Sequence, residues 1–131
     1  MVVRLSLALL GLFHLANGLA MLAFPAAWAR AVVHLGAPDH LHFHFIADIG
    51  MAFLVSGTGL LLGARKAAGA AVLAAAGAAW PLLHALVHVS DWMRMGPPMA
   101  AGDAVREGVG VILVGALGVA LAWLRFREGY A

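Results

Sequence analysis

Long apolar runs alternate with short polar breaks along the whole chain. The runs occupy about 5–24, 41–62, 67–92 and 103–124, and charged, proline or glycine residues separate them. About 20 consecutive apolar residues are enough for a helix to cross the hydrocarbon core of a bilayer. The pattern therefore predicts an all-α integral membrane protein, in which four transmembrane helices form a single bundle over residues 1–131.

Two shorter features modify this picture. The segment "PAAWARAVVHLGAPDH", residues 25–40, is too short and too polar to cross a bilayer. Trp28, Val32 and Leu35 recur in it at helical spacing, which predicts a short interfacial helix in the first outer loop. Pro81 lies inside the third run. A proline is tolerated within a membrane helix when a neighbouring helix hydrogen-bonds the carbonyl that it leaves free, and we expect a kink there.

The composition strengthens the membrane prediction and excludes several classes of function. The chain is 64% hydrophobic and 11% charged, whereas soluble domains are about half apolar and about a quarter charged. The formal net charge is only +2, and the basic residues are scattered along the chain, which argues against nucleic acid as a partner. The absence of cysteine excludes disulfides, thiolate metal sites and iron–sulfur clusters.

Lysine and arginine predict the orientation, because they concentrate in the cytoplasmic loops of membrane proteins. If the four helices alternate in direction, five basic residues lie on one side and two on the other. Arg30 and Arg94 are on the sparse side. The richer side, which we expect to be cytoplasmic together with both termini, holds Arg4, Arg65, Lys66, Arg125 and Arg127.

Polar side chains recur at one depth, in the outer half of the predicted bundle. At 1.5 Å per residue, the polar positions of each helix fall within about two to three turns of its outer end. Residues three, four or seven apart share one face of a helix, and ionisable groups at membrane depth normally face the bundle interior. We therefore predict one polar cluster, with Arg106 as a counter-ion, made of His44, Asp48, His84, His88, Asp91 and Glu107.

Imidazole and carboxylate groups without sulfur are typical ligands of transition metals such as Fe, Cu or Zn. Four-helix bundles build metal sites from such side chains on facing helices. The cluster predicts a site for one or two ions, in which one aspartate orients a histidine rather than binding the metal. Redox or oxygen-linked chemistry would follow if the metal is iron or copper. No nucleotide-binding loop, GxSxG or HExxH motif is present, so whether the protein is an enzyme stays open.

The sequence also allows three alternatives. In the first, the cluster is a hydrogen-bonded network in a non-catalytic subunit of a larger membrane complex. In the second, it is a proton or ion pathway. In the third, it binds a b-type haem, and His44 with His84 or His88 supplies both axial ligands. Outside the cluster, we expect His14 to be a buried core histidine and His42 to lie at the interface. The tryptophans, Trp92 among them, are expected at the membrane interfaces.

The stretches "LLGLFHLANGLAMLAFP" (9–25), "ADIGMAFLVSGTGLLLGAR" (47–65) and "LLHALVHVSDW" (82–92) resemble segments of the DoxX-like group of small bacterial four-helix membrane proteins. The resemblance implies a location in the bacterial inner membrane.

Glycine and alanine are frequent on the predicted helices, as in membrane helices that pack closely. We therefore also expect a homo-oligomer or a larger membrane complex.

Overall fold

The computed structural model of the protein describes residues 1–33 and 40–129. All regular structure in these residues is helical, so the predicted all-α class is confirmed. Two stretches with π-helical hydrogen bonding continue α2 and join α5 to α6; they are Ala29–Val33 and Gly108–Leu113. The α-helices in chain order are α1 (Val2–Ala23), α2 (Pro25–Trp28), α3 (His40–Gly63), α4 (Ala70–Met95), α5 (Ala101–Glu107) and α6 (Val114–Arg127).

Four long helical units are long and apolar enough to cross a membrane: α1, α3, α4 and the continuous unit Ala101–Arg127, which contains α5 and α6. Their ends lie within a few residues of the predicted runs. The third unit begins at Ala70 rather than at residue 67, because Gly69 precedes it with a φ of 76°. Glycine adopts this left-handed conformation without steric cost, and the helix starts after it.

The predicted interfacial segment is helical as far as it is described. Pro25 occupies the first turn of α2, where its missing N–H is no loss. The Trp28 indole Nε1 donates to Asn17 Oδ1 at 2.9 Å, which ties the segment to α1. Residues 34–39 of the predicted helix lie outside the described residues.

Close contacts between glycines determine how the long helices pack. A Cβ atom on Gly57 would come within 2.7 Å of the Gly11 carbonyl oxygen, so the α1 and α3 backbones touch there. Gly77 of α4 stands equally close to α3, since a Cβ on it would lie 2.7 Å from the Ser56 carbonyl oxygen. Small residues permit this approach between membrane helices. The bundle runs α1, α3, α4, α6 in space, with each helix antiparallel to the next.

The bundle has two ends, which we call the Trp92 end and the Arg125 end. The Trp92 end contains the last turn of α1, the start of α3, the last turn of α4 and all of α5. The Arg125 end contains the other termini of these helices. An apolar core fills the Arg125 half; its buried members are Leu7, Leu10, Leu60, Ala74, Ala78, Leu121 and Ala122.

The outer surface of the bundle is apolar and part of its interior is polar. Leu5 is 60% exposed, Val55 is 73% exposed and Leu83 is 61% exposed, whereas His14 is fully buried. A water-soluble bundle shows the opposite distribution, with its apolar stripe facing inward. An apolar outer surface of this kind is typical of helices that face lipid.

Candidate functional site

A chain of hydrogen bonds connects three helices near the middle of the bundle, and it forms because Pro81 leaves one carbonyl of α4 without its usual partner. Proline has no N–H, so the carbonyl of Gly77, four residues earlier in α4, has no partner in its own helix. The Ser56 hydroxyl of α3 donates to this carbonyl at 2.6 Å. Its Oγ lies 2.8 Å from His14 Nδ1 of α1. The neighbouring helix thus supplies the partner that a carbonyl freed by proline requires.

This chain determines which nitrogen of His14 carries its proton. Because the Ser56 hydrogen is used on the Gly77 carbonyl, Ser56 Oγ accepts, and His14 donates from Nδ1. His14 Nε2 is then a bare acceptor. It is buried without a hydrogen-bond partner among the described residues. We refer to His14, Ser56 and the Gly77 carbonyl as the His14 chain.

His14 lines a small cavity at the centre of the bundle. Its volume is about 20 Å³, which is enough for about one water molecule. All four long helices contribute to the wall, and most of the lining is apolar or aromatic. Besides His14, the cavity is lined by Phe53, Trp80, Pro81, His84, Gly110, Val111 and Val114.

A column of rings leads from this cavity toward the Trp92 end. The His14 and Phe53 ring centroids are 5.2 Å apart, and those of Phe53 and Trp80 are 4.9 Å apart. Trp80 stacks on His84 at 5.0 Å with an interplanar angle of 10°. The His84 ring meets the His88 ring edge to face at 4.9 Å. The three histidines at different depths are therefore linked by contacts between aromatic faces and edges.

At the Trp92 end, a carboxylate holds His88. Glu107 Oε2 accepts from Trp92 Nε1 at 2.9 Å and lies 3.1 Å from His88 Nδ1. An ionised carboxylate only accepts, so His88 donates from Nδ1 and its Nε2 is left as an acceptor. The His88 and Glu107 side chains are 25% and 28% exposed, so the pair is accessible from outside the bundle. We refer to His84, His88, Trp92 and Glu107 as the Glu107 cluster.

The local sequence explains how Glu107 reaches α4. His88 and Trp92 are four residues apart, so both face the same side of that helix. Glu107 is the last residue of α5, directly before the π-helical stretch. The Trp92 ring lies against Gly108, where a Cβ would be 3.3 Å from it. The absence of a side chain at this position lets the indole lie beside the carboxylate.

The structure divides five of the six predicted site residues between two places, and the sixth is Asp91, which lies on α4. His84, His88 and Glu107 come together as described. His44 Nε2 lies 3.4 Å from Asp48 Oδ2 on α3, but the two side chains are 66% and 51% exposed. Among the described residues, no three His, Asp or Glu side chains come together as a group able to hold a metal ion. Metal binding by these residues therefore stays a prediction.

The structure also describes three other residues named in the sequence analysis. Arg106, expected as a counter-ion, lies 2.6 Å from Asp103 in its own helix. Asp91 is half-buried on α4, three residues after His88. His14 is fully buried, as expected for a core histidine.

Two members of the site are not predicted from the sequence. Trp92 is expected at the interface, although its position four residues after His88 could have indicated a shared partner. Nothing in the sequence around Ser56 indicates its role. Pro81 predicts that a donor from a neighbouring helix reaches the Gly77 carbonyl, but it does not identify that donor as Ser56.

No family model, curated protein or solved structure matches this chain.

Proposed function

We propose that this is a multi-pass membrane protein that binds a transition-metal ion at the Trp92 end, with His84 and His88 as ligands. The observation that carries the proposal is the contact between His88 Nδ1 and Glu107 Oε2. Histidine ligands in metal sites usually donate their second N–H to a carboxylate, which fixes the ring and makes the ligating nitrogen more basic. Glu107 thus orients His88 and leaves its Nε2 for the ion.

The spacing of the two imidazoles supports a shared ion. Their ring centroids are 4.9 Å apart. With metal–nitrogen distances of about 2.0–2.1 Å, two imidazoles on one tetrahedral ion have centroids about 5 Å apart. The two rings now meet edge to face at 79°, and rotation of the His84 side chain would turn its ligating nitrogen toward the ion held at His88. His84 forms no hydrogen bond in the described part of the chain that would oppose this.

Two protein ligands leave positions on the ion for water or another carboxylate. Asp91 is the next carboxylate along α4 and follows His88 by three residues, which places it on the same side of the helix. A site with so few fixed ligands exchanges its metal readily. We therefore favour uptake or delivery of Cu or Zn over storage, because imidazole suits both metals.

The membrane placement rests on the apolar outer surface and the four long helices. The Arg125 end carries most of the basic residues, so the positive-inside rule assigns it to the cytoplasm. The Glu107 cluster then faces the opposite side, near the bilayer surface. The resemblance to DoxX-like proteins suggests the bacterial inner membrane.

A second function is favoured by the Trp92 Nε1 to Glu107 Oε2 bond. This bond joins α4 to α5 without any metal, and polar bonds of this kind stabilise contacts between membrane helices. In this alternative the protein is a non-catalytic subunit of a larger membrane complex, and the cluster only fixes its helices. Haem fits less well, because the cavity beside His84 holds about 20 Å³, far less than a porphyrin needs.

Metal titration of the detergent-purified protein distinguishes the two functions. We expect one Cu²⁺ per chain, with nitrogen couplings from two imidazoles in pulsed electron paramagnetic resonance. His84→Ala and His88→Ala should each remove one coupling and weaken binding by more than about tenfold. Zn²⁺ binding measured by calorimetry should weaken in parallel.

The matched control is the double variant His42→Ala/His44→Ala, which removes two exposed imidazoles of α3. This variant should still bind one Cu²⁺ per chain and show nitrogen couplings from two imidazoles. Metal content below one ion per chain that neither His84→Ala nor His88→Ala changes would refute the metal proposal and favour the packing role. A Soret band in the purified protein would instead assign the histidines to haem.

A further inference from the structure

The Arg125 end contains a cavity of about 340 Å³, whose walls carry three basic side chains and one acid. Its volume lies within the range of about 300–1,000 Å³ that is common for ligand sites. The basic residues come from three separate parts of the chain. The lining consists of Met1, Arg4, Lys66, Arg125 and Glu128.

Two of these side chains are held in place by carbonyls at the end of α3 and in the two residues that follow it. Arg4 Nε donates to the Ala64 carbonyl at 2.8 Å. Arg125 Nε donates to the Gly63 carbonyl at 3.1 Å, and Nη2 donates to the Arg65 carbonyl at 3.0 Å. The last carbonyls of a helix have no partners within it, and the negative end of the helix dipole attracts cations. The arginines therefore cap α3 and are pre-positioned around the cavity.

The positive charge of this cavity is only partly neutralised. Arg125 is 5% exposed, and its carboxylate partner is Glu128, with Nη1 to Oε2 at 3.4 Å. Arg4 uses only Nε in the described part of the chain, which leaves both Nη amino groups for a ligand. Lys66 is exposed and forms no hydrogen bond or ion pair there. Three cations against one anion favour a negatively charged ligand.

We propose that this cavity binds a phosphate group, most simply the phosphodiester of an anionic lipid headgroup. Arg4 and Lys66 contact the phosphate oxygens, and buried Arg125 contributes charge from behind. Guanidinium groups match the geometry of phosphate oxygens, and basic pockets between membrane helices on the cytoplasmic side bind anionic headgroups. The inference rests on the membrane placement proposed above but not on the metal site.

Native mass spectrometry of the full chain, released from micelles that contain phosphatidylglycerol and phosphatidylcholine of equal chain length, tests this proposal. We expect one retained phosphatidylglycerol per chain and a preference over phosphatidylcholine of at least about fivefold. Arg4→Gln/Lys66→Gln should abolish the preference. Lys66→Gln alone should reduce it, and this variant leaves the α3 cap intact.

The control Arg65→Gln/Arg127→Gln removes the same charge from the same end but leaves the cavity lining unchanged; Arg127 lies over the Trp123 ring instead. It should keep the preference. Equal retention of the two lipids by the unmodified chain, or equal loss in both double variants, would overturn the site.

Added inorganic phosphate separates the two sources of the ligand. Displacement of the lipid at millimolar phosphate would support the site with the free anion as its ligand. Retention of the lipid would support the site with the headgroup as its ligand. If the chain fails to enter bilayer nanodiscs, the membrane placement is wrong; a loss of metal binding alone leaves the phosphate site unaffected.

Discussion

His14 and His88 are held in the same manner but in opposite surroundings. Each ring donates from Nδ1 to an oxygen of another helix, Ser56 Oγ for His14 and Glu107 Oε2 for His88. His14 is fully buried, and its Nε2 faces no partner in the described residues. The His88 side chain is 25% exposed. The bond at Nδ1 fixes the ring in both cases, and the surroundings decide what Nε2 can do.

These opposite surroundings determine what the free Nε2 of each histidine can contact. A free nitrogen inside the bundle has at most one water within reach, because the adjacent cavity is so small. A free nitrogen near the bundle surface can bind an ion that arrives from outside. An unpaired buried acceptor costs about 1–3 kcal/mol of stability. His14 bears this cost, whereas His88 does not, because its side chain is 25% exposed.

The largest effect is expected when the His14 chain is broken at its middle. Ser56→Ala leaves both the Gly77 carbonyl and His14 Nδ1 without partners, each at a cost of about 1–3 kcal/mol. We expect a loss of about 2–4 kcal/mol in the free energy of unfolding, measured by chemical denaturation in detergent. Thr58→Ala removes an exposed hydroxyl from the same helix and should change stability by less than about 0.5 kcal/mol.

A double-mutant cycle tests the origin of this chain. Pro81→Ala restores an N–H that can bond the Gly77 carbonyl within α4. Pro81→Ala should therefore lower the free energy of unfolding by about 1 kcal/mol less in the Ser56→Ala variant than in the unmodified protein. Strictly additive losses would mean that Ser56 does not replace the bond that proline removes.

A smaller effect is expected when the carboxylate that holds His88 is changed. Glu107→Gln keeps the shape of the side chain and removes its charge, so His88 loses its ionic partner. We expect metal affinity to fall by about 10–100-fold, as for other outer-shell carboxylates. Calorimetry with Zn²⁺ measures this change. An unchanged affinity would show that His88 is not oriented through Nδ1.

The smallest effect is expected on the exposed face of α3. His44 and Asp48 are mostly exposed and pair only with each other across one turn. Exposed pairs of this kind contribute about 0.3–0.5 kcal/mol. Asp48→Asn should lower the unfolding free energy by no more than this and leave Zn²⁺ affinity unchanged. A tenfold fall in Zn²⁺ affinity would mean that Asp48 contributes to the metal site after all.

The sequence predicted the fold more completely than the site. The four apolar runs end within a few residues of the observed helices, because helix length and hydropathy are local properties. The spacing of His44 with Asp48 was sufficient to predict that the two side chains share one face of α3. It did not show that this face of α3 is exposed, since every long helix here is apolar around most of its circumference.

The sequence therefore determines which residues share a face of one helix, whereas the packing of the helices determines which residues of different helices are in contact. Sequence alone specified four long helices, a carbonyl at Gly77 in need of a donor, and a shared face for His84 and His88. The packing of the helices decided that Ser56 is the donor, that Glu107 holds His88, and that His44 stands apart. Packing was needed because helix rotation and register depend on glycine contacts such as Gly11 with Gly57. Periodicity along one helix does not specify such contacts between two.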